Sequence, residues 1–98
     1  MNNKLFISWS ARAKLDIRLL YLHLLNSNSI ETSRKIRDEI IAAPKTIIFP
    51  EQFQHDDYMT DYRRIIVRNY KILYYHKDTT IFIISVFNSH RNPSIMKA

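Results

Sequence analysis

Residues 62–77 read YRRIIVRNYKILYYHK, and the fold turns on how this stretch is divided. Apolar and polar positions alternate on either side of Arg68-Asn69, the pattern of two β-strands joined by a two-residue turn. Such turns require positive φ, which asparagine tolerates best where no glycine is available. The chain has no glycine at all. A strand alternates its side chains between faces. Arg64 therefore shares a face with Tyr62 and Ile66, and Arg63 shares one with Ile65 and Val67. In the next strand Tyr70, Ile72, Tyr74 and His76 point one way and Lys71, Leu73 and Tyr75 the other. Ile72 and Tyr74 continue the better core pattern, which favours Lys71 and Tyr75 on the open side.

The strand that follows is TIFIISVF, over residues 80–87, a continuous apolar run suited to a central strand. Asp78 serves the turn before it. Upstream, residues 4–9 make a short strand, with Leu5, Ile7 and Trp9 on one face. Ser8 or Ser10 can cap the helix expected over 11–25, whose inward stripe is Leu15, Leu19 and Leu22, widened by Leu20 and Leu24. Asn26-Ser27-Asn28 breaks the pattern. Asn28 with Glu31 resembles a capping box for a second helix over about 29–43, with Ile36, Ile40 and Ala43 inward and Pro44 ending it. Residues 44–60 read as a loop in which Ile47, Ile48 and Phe49 pack under the sheet edge. The expected fold is α+β, in the order β-α-α-β-β-β: an antiparallel sheet with an N-terminal strand and a helix hairpin packed on one face.

The 98 residues fit one domain spanning 1–98. No apolar run approaches membrane-spanning length, and the apolar run in MNNKLFISWS is too short for a signal peptide. With no cysteine there is no disulfide framework. A cytoplasmic location is expected from these features. No His/Asp/Glu set has metal-ligand spacing, and a chain without glycine has no glycine-rich phosphate loop, so no metal or cofactor is expected.

Charge is uneven. Residues 1–60 carry eight Lys/Arg against seven Asp/Glu, a net +1, whereas residues 61–98 carry seven against two, a net +5. The second part suits an anionic partner, nucleic acid or an acidic protein segment. A solvated face kept for solubility has the same composition. Arg63 and Arg64 can equally pair with Asp56, Asp57 or Asp61. Tyr70, Tyr74 and Tyr75 suit packing as well as stacking.

The strand LFISWS, the helix hairpin, Phe49-Pro50-Glu51, the YRRIIVRNYKILYY hairpin and IFIISVFNSHRNP together resemble the RelE/ParE superfamily of bacterial type II toxin–antitoxin toxins. The resemblance covers nearly the whole chain. It implies a shared fold with one of two activities. RelE-like members cut messenger RNA on the ribosome; ParE-like members poison DNA gyrase and have no catalytic site of their own. Both imply a cognate antitoxin as partner. Nuclease candidates on this resemblance are Arg64, Lys71, His90 and Arg91, with His90 in proton transfer and Arg91 as a phosphate clamp. The family commonly has arginine where Lys71 stands, and lysine lacks the bidentate fork for phosphate. The nuclease branch also ends in a functional tyrosine, whereas this chain has none after Tyr75. The His-Arg-x-Pro ending resembles the ParE-like branch, which is therefore favoured. Antitoxin or target contacts are expected from Arg63, Arg64, Arg68, Lys71, Tyr75 and Arg91. A harmless, antitoxin-binding member or a basic binding domain is a further alternative, and the helix hairpin offers a flank for a homodimer.

Overall fold

The computed structural model describes residues 4–89. His90 and Arg91 lie outside the described residues. Strand β1 is Phe6–Trp9, helix α1 Ala11–Leu25 and helix α2 Ile30–Ala42. Two 3-10 turns follow, Ala43–Thr46 and Pro50–Gln52, and then β2 (Arg63–Val67), β3 (Tyr70–Lys77) and β4 (Thr80–Asn88). The element order and the α+β architecture are those the sequence suggests. The sheet runs β1-β4-β3-β2. The last three strands form the expected antiparallel meander, and β1 adds to β4 in parallel, with Ile7 opposite Ile81 and Trp9 opposite Ile83.

Ser10 is where β1 becomes α1. Its hydroxyl accepts from the Ala13 N–H and donates to the Ile84 carbonyl, so one side chain caps the helix and closes the strand it leaves. Beyond Ser10, the β1 side of β4 has no strand partner among the described residues. The Asp16 carboxylate of α1 fills that gap, accepting from the Val86 N–H and the Ser85 hydroxyl, both at 2.9 Å. Ser29, not Asn28, caps α2 by accepting from the Thr32 N–H. The Asn28 amide instead donates to the Leu24 carbonyl at the end of α1. Pro44 is buried in the turn that ends α2.

The core lies between one sheet face and the two helices. Ala13, Leu20, Leu24, Ile36 and Ile40 pack against Ile65, Tyr70, Ile72, Tyr74, Ile81, Ile83 and Val86. A β-bulge fixes the register of β4: Tyr74 pairs with Ile83 and Leu73 with Ser85, leaving Ile84 as the extra residue. That shift of one turns Val86, rather than Ser85, into the apolar interior beside Ile81 and Ile83.

Three further expectations change. The α1 stripe that faces the core is Ala13, Leu20 and Leu24, whereas Leu15, Leu19 and Leu22 are 47%, 53% and 53% exposed. The helix is apolar on both sides, and the sheet selects the side that carries Ala13, small enough to sit close to β4. Ile47 is buried as expected, but Ile48 and Phe49 stand in solvent. In the β2–β3 turn the positive φ falls on Arg68, at 55°, and in the next turn on Asp78, at 54°; Asn69 does not take it. The Arg68 guanidinium then reaches both Glu39 oxygens, at 2.8 and 2.9 Å, and ties the turn to α2.

Candidate functional site

Alternation places Ile72 and Tyr74 in the core and Lys71, Leu73 and Tyr75 on the opposite face of the sheet. This second face is not a uniform open groove. Residues 53–62 fold back over its β2 end, held by backbone bonds from the Arg64 N–H to the Gln54 carbonyl and from the Asp56 N–H to the Tyr62 carbonyl. Leu73, on this face, is 1% exposed.

Asp56 stands at the centre of the covered region with 2% of its surface exposed. Its Oδ2 accepts from the N–H groups of Tyr58 and Met59, a local turn motif that aspartate favours. Its Oδ1 is 2.7 Å from the Lys71 ammonium and 3.8 Å from the Arg64 guanidinium. Burial pushes this carboxyl up, but the Lys71 contact and the two N–H donors outweigh it and hold the pKa below the ordinary aspartate value. Arg64 also lies 3.5 Å from the exposed Asp57 carboxylate and donates to the His55 carbonyl. The Lys71 ammonium is 5.6 Å from the Tyr58 ring and 5.9 Å from the Phe87 ring.

Among the described residues, the sequence-selected cations therefore do not converge on one cavity. Lys71 and Arg64 share the second face and share Asp56. Arg63 lies on the core face, where its guanidinium donates to the Phe53 carbonyl at 2.8 Å and the Glu51 carbonyl at 3.4 Å. Arg68 is at the far end of the hairpin, paired with Glu39, whose carboxyl the Arg68 contact holds below its usual value. Tyr75 is 41% exposed and stacks on Phe82, with ring centres 5.0 Å apart, while Tyr62 tilts against it at 6.1 Å. Of the acids that the sequence offered to Arg63 and Arg64, the structure gives Asp56 and Asp57 to Arg64, and Asp56 also takes Lys71, a pairing the sequence reading did not make. The signal was present: an acidic pair just ahead of a basic hairpin, followed by a turn.

A second surface lies on α1. Leu15, Leu19 and Leu22 project outward in one stripe, with exposed Lys14 and Arg18 along one side and exposed Arg12 and His23 along the other. The helix has one acid, Asp16, and it is turned inward. Among the described residues no cluster of His, Asp or Glu is arranged to hold a metal ion, and no helix is long and apolar enough to cross a membrane.

The family model described as "ParE toxin of type II toxin-antitoxin system, parDE" matches residues 7–93. A search of curated proteins returned no match. Among solved structures, the chromosomal ParDE toxin–antitoxin system of P. aeruginosa aligns with a TM-score of 0.75 at 14% identity, covering 89% of this chain and 98% of that one. The isolated E. coli RelE toxin aligns with a TM-score of 0.53 at 16% identity, covering 95% and 93%. The Helicobacter pylori protein HP0894 aligns with a TM-score of 0.55 at 19% identity, covering 88% and 94%. At these identities the structural likeness speaks for the fold, and the family match over residues 7–93 speaks for descent: the chain belongs to the ParE toxin family of type II toxin–antitoxin systems.

Proposed function

We propose that this toxin inhibits bacterial growth in the ParE-like manner, by binding DNA gyrase without chemistry of its own, and that a cognate antitoxin neutralises it. The observation that supports this reading is the occupancy of the two catalytic candidates among the described residues, Arg64 and Lys71. A ribonuclease needs a group to take the 2′-OH proton and free positive charge for the phosphorane. Here Lys71 and Arg64 are each only 12% exposed in their side chains and are committed to Asp56. Arg63 is committed to backbone carbonyls and Arg68 to Glu39.

The α1 surface suits the antitoxin. An apolar stripe between two basic margins fits an amphipathic segment with acidic flanks, whose leucine-like anchors cover Leu15, Leu19 and Leu22 while its carboxylates meet Arg18 and Lys14. The test is induction of the chain without its antitoxin, with plasmid supercoiling and message integrity followed together, and a purified gyrase assay beside it. Loss of supercoiling with intact message is expected. Cleaved ribosome-bound message with unaffected gyrase would replace this reading with the RelE-like one.

A further inference from the structure

Between α2 and the meander the chain holds two large apolar side chains out in solvent: Ile48 is 77% exposed and Phe49 53%. The loop that carries them is fixed. The Gln52 side chain accepts from the Ile48 N–H at 2.6 Å and donates to the Thr46 carbonyl at 3.2 Å, which ties the two ends of the loop together. The Gln52 N–H bonds the Phe49 carbonyl. Behind this tip the Tyr74 hydroxyl donates to the Pro50 carbonyl, and Arg63 donates to the carbonyls of Glu51 and Phe53. Apolar side chains on a loop ordered in advance lose little entropy when a partner covers them, which suits them as binding anchors. Beside the tip, against β1, is a hollow of about 340 Å³ walled by Leu5, Ile7, Pro44, Ile47 and Ile81, with Ile48 also lining it. An apolar cavity on the order of 150 Å³ holds a benzene ring. The hollow is therefore wide enough for a phenyl side chain, and projection and hollow share one patch.

The charges of this patch are of opposite sign. Lys45 borders the hollow, is exposed, and pairs with no carboxylate among the described residues. Glu51, two residues past Phe49, is exposed, and its carboxylate lies 3.4 Å from His76 Nε2. A patch that holds an apolar projection, an apolar hollow and one charge of each sign fits its own image after a two-fold rotation. We propose that the chain self-associates as a two-fold dimer through residues 45–51, with Phe49 of each copy seated in the partner's hollow and Lys45 facing the partner's Glu51. The mixed charge is what favours a second copy over an acidic segment, which Glu51 would repel. The patch is small, so the dimer is a weak one, with a dissociation constant of about 10 µM. It lies apart from the α1 stripe assigned to the antitoxin.

The test is sedimentation equilibrium of the full chain, 11.8 kDa as a monomer, at concentrations on both sides of about 10 µM. The mass should rise toward twice the monomer value and stop there. Phe49→Ser should weaken association at least about tenfold. Lys45→Glu and Glu51→Lys, taken singly, each set like charges opposite one another twice and should weaken it by about tenfold. Mixed in equal amounts, these two variants should associate at about the parent affinity, because only the mixed dimer restores both ion pairs. A purely structural role for either residue does not produce that recovery. Circular dichroism checks the fold of each variant, and Ile48→Ser, at an equally exposed position, stands in for any that fails to fold. A parent chain that stays monomeric, a mass that climbs past the dimer, Phe49→Ser without effect, or a mixture no tighter than its components overturns the proposal. Dimerisation lost in Leu19→Ser with Leu22→Ser also overturns it, by placing the contact on the helix hairpin. Neither gyrase nor antitoxin enters these measurements, so this proposal and the gyrase reading fail separately.

Discussion

Asp56 shows how one side chain sets the character of a surface. It takes a carboxylate to a nearly fully buried position, which is unfavourable alone, and offsets that with one ammonium, one guanidinium and two N–H groups. Removing the acid while leaving Lys71 and Arg64 in place should destabilise the fold. Asp56→Ala is expected to lower unfolding free energy by about 3 kcal/mol at neutral pH, measured by urea denaturation. The pH dependence has a definite sign. The folded carboxyl titrates below its ordinary value, so the unfolded chain binds the proton more readily. The stabilisation is complete above the unfolded aspartate value of about 4 and disappears as pH falls through the lower folded value. Denaturation of the parent chain between pH 7 and pH 3 should show this loss, and Asp56→Ala should show less of it. The position was readable in the sequence as one of three acids that could pair with Arg63 or Arg64. Which cations meet it depends on where residues 53–62 fold back, and that is set by pairing of Gln54 and Asp56 with β2.

At the scale of elements, α1 separates what periodicity can decide from what it cannot. Its length and its cap at Ser10 follow from local sequence. Its orientation does not, because leucines occur on opposite sides and either stripe satisfies a helical period. The sheet resolves the ambiguity by close approach at Ala13 and by Asp16 bonding to β4, which together rotate Leu15, Leu19 and Leu22 outward. An exposed stripe of this kind contributes little to folding. The double substitution Leu19→Ser with Leu22→Ser should therefore change the thermal midpoint only slightly, with a free-energy effect within about 0.5 kcal/mol per site. The same variant should weaken antitoxin binding by at least about tenfold in calorimetry, the size expected for losing two apolar anchors. Unchanged binding would move the antitoxin to another surface. The hairpins carry a related lesson. A chain without glycine places Arg68 and Asp78 in the left-handed region, and Arg68 is held there with its guanidinium on Glu39.

At the scale of the molecule, the first and last described strands meet in the sheet: β1 lies against β4 in parallel, and Leu5, Ile7 and Trp9 complete the core made by the helices and the meander. A chain beginning at Ala11 would lose those side chains and the Ser10 bond to Ile84. It is expected to show no cooperative thermal transition by circular dichroism, since a domain of this size has little margin to lose. The sequence by itself determined the element order, the strand–turn–strand of residues 62–77 and the split of β3 into two faces, because these rest on periodicity and on nearest-neighbour backbone preferences. Only the tertiary structure decided the bulge at Ile84, the outward leucines of α1 and the capture of Lys71 and Arg64 by Asp56. Each of those depends on which distant segments are brought within a few ångströms, and local alternation carries no record of that distance.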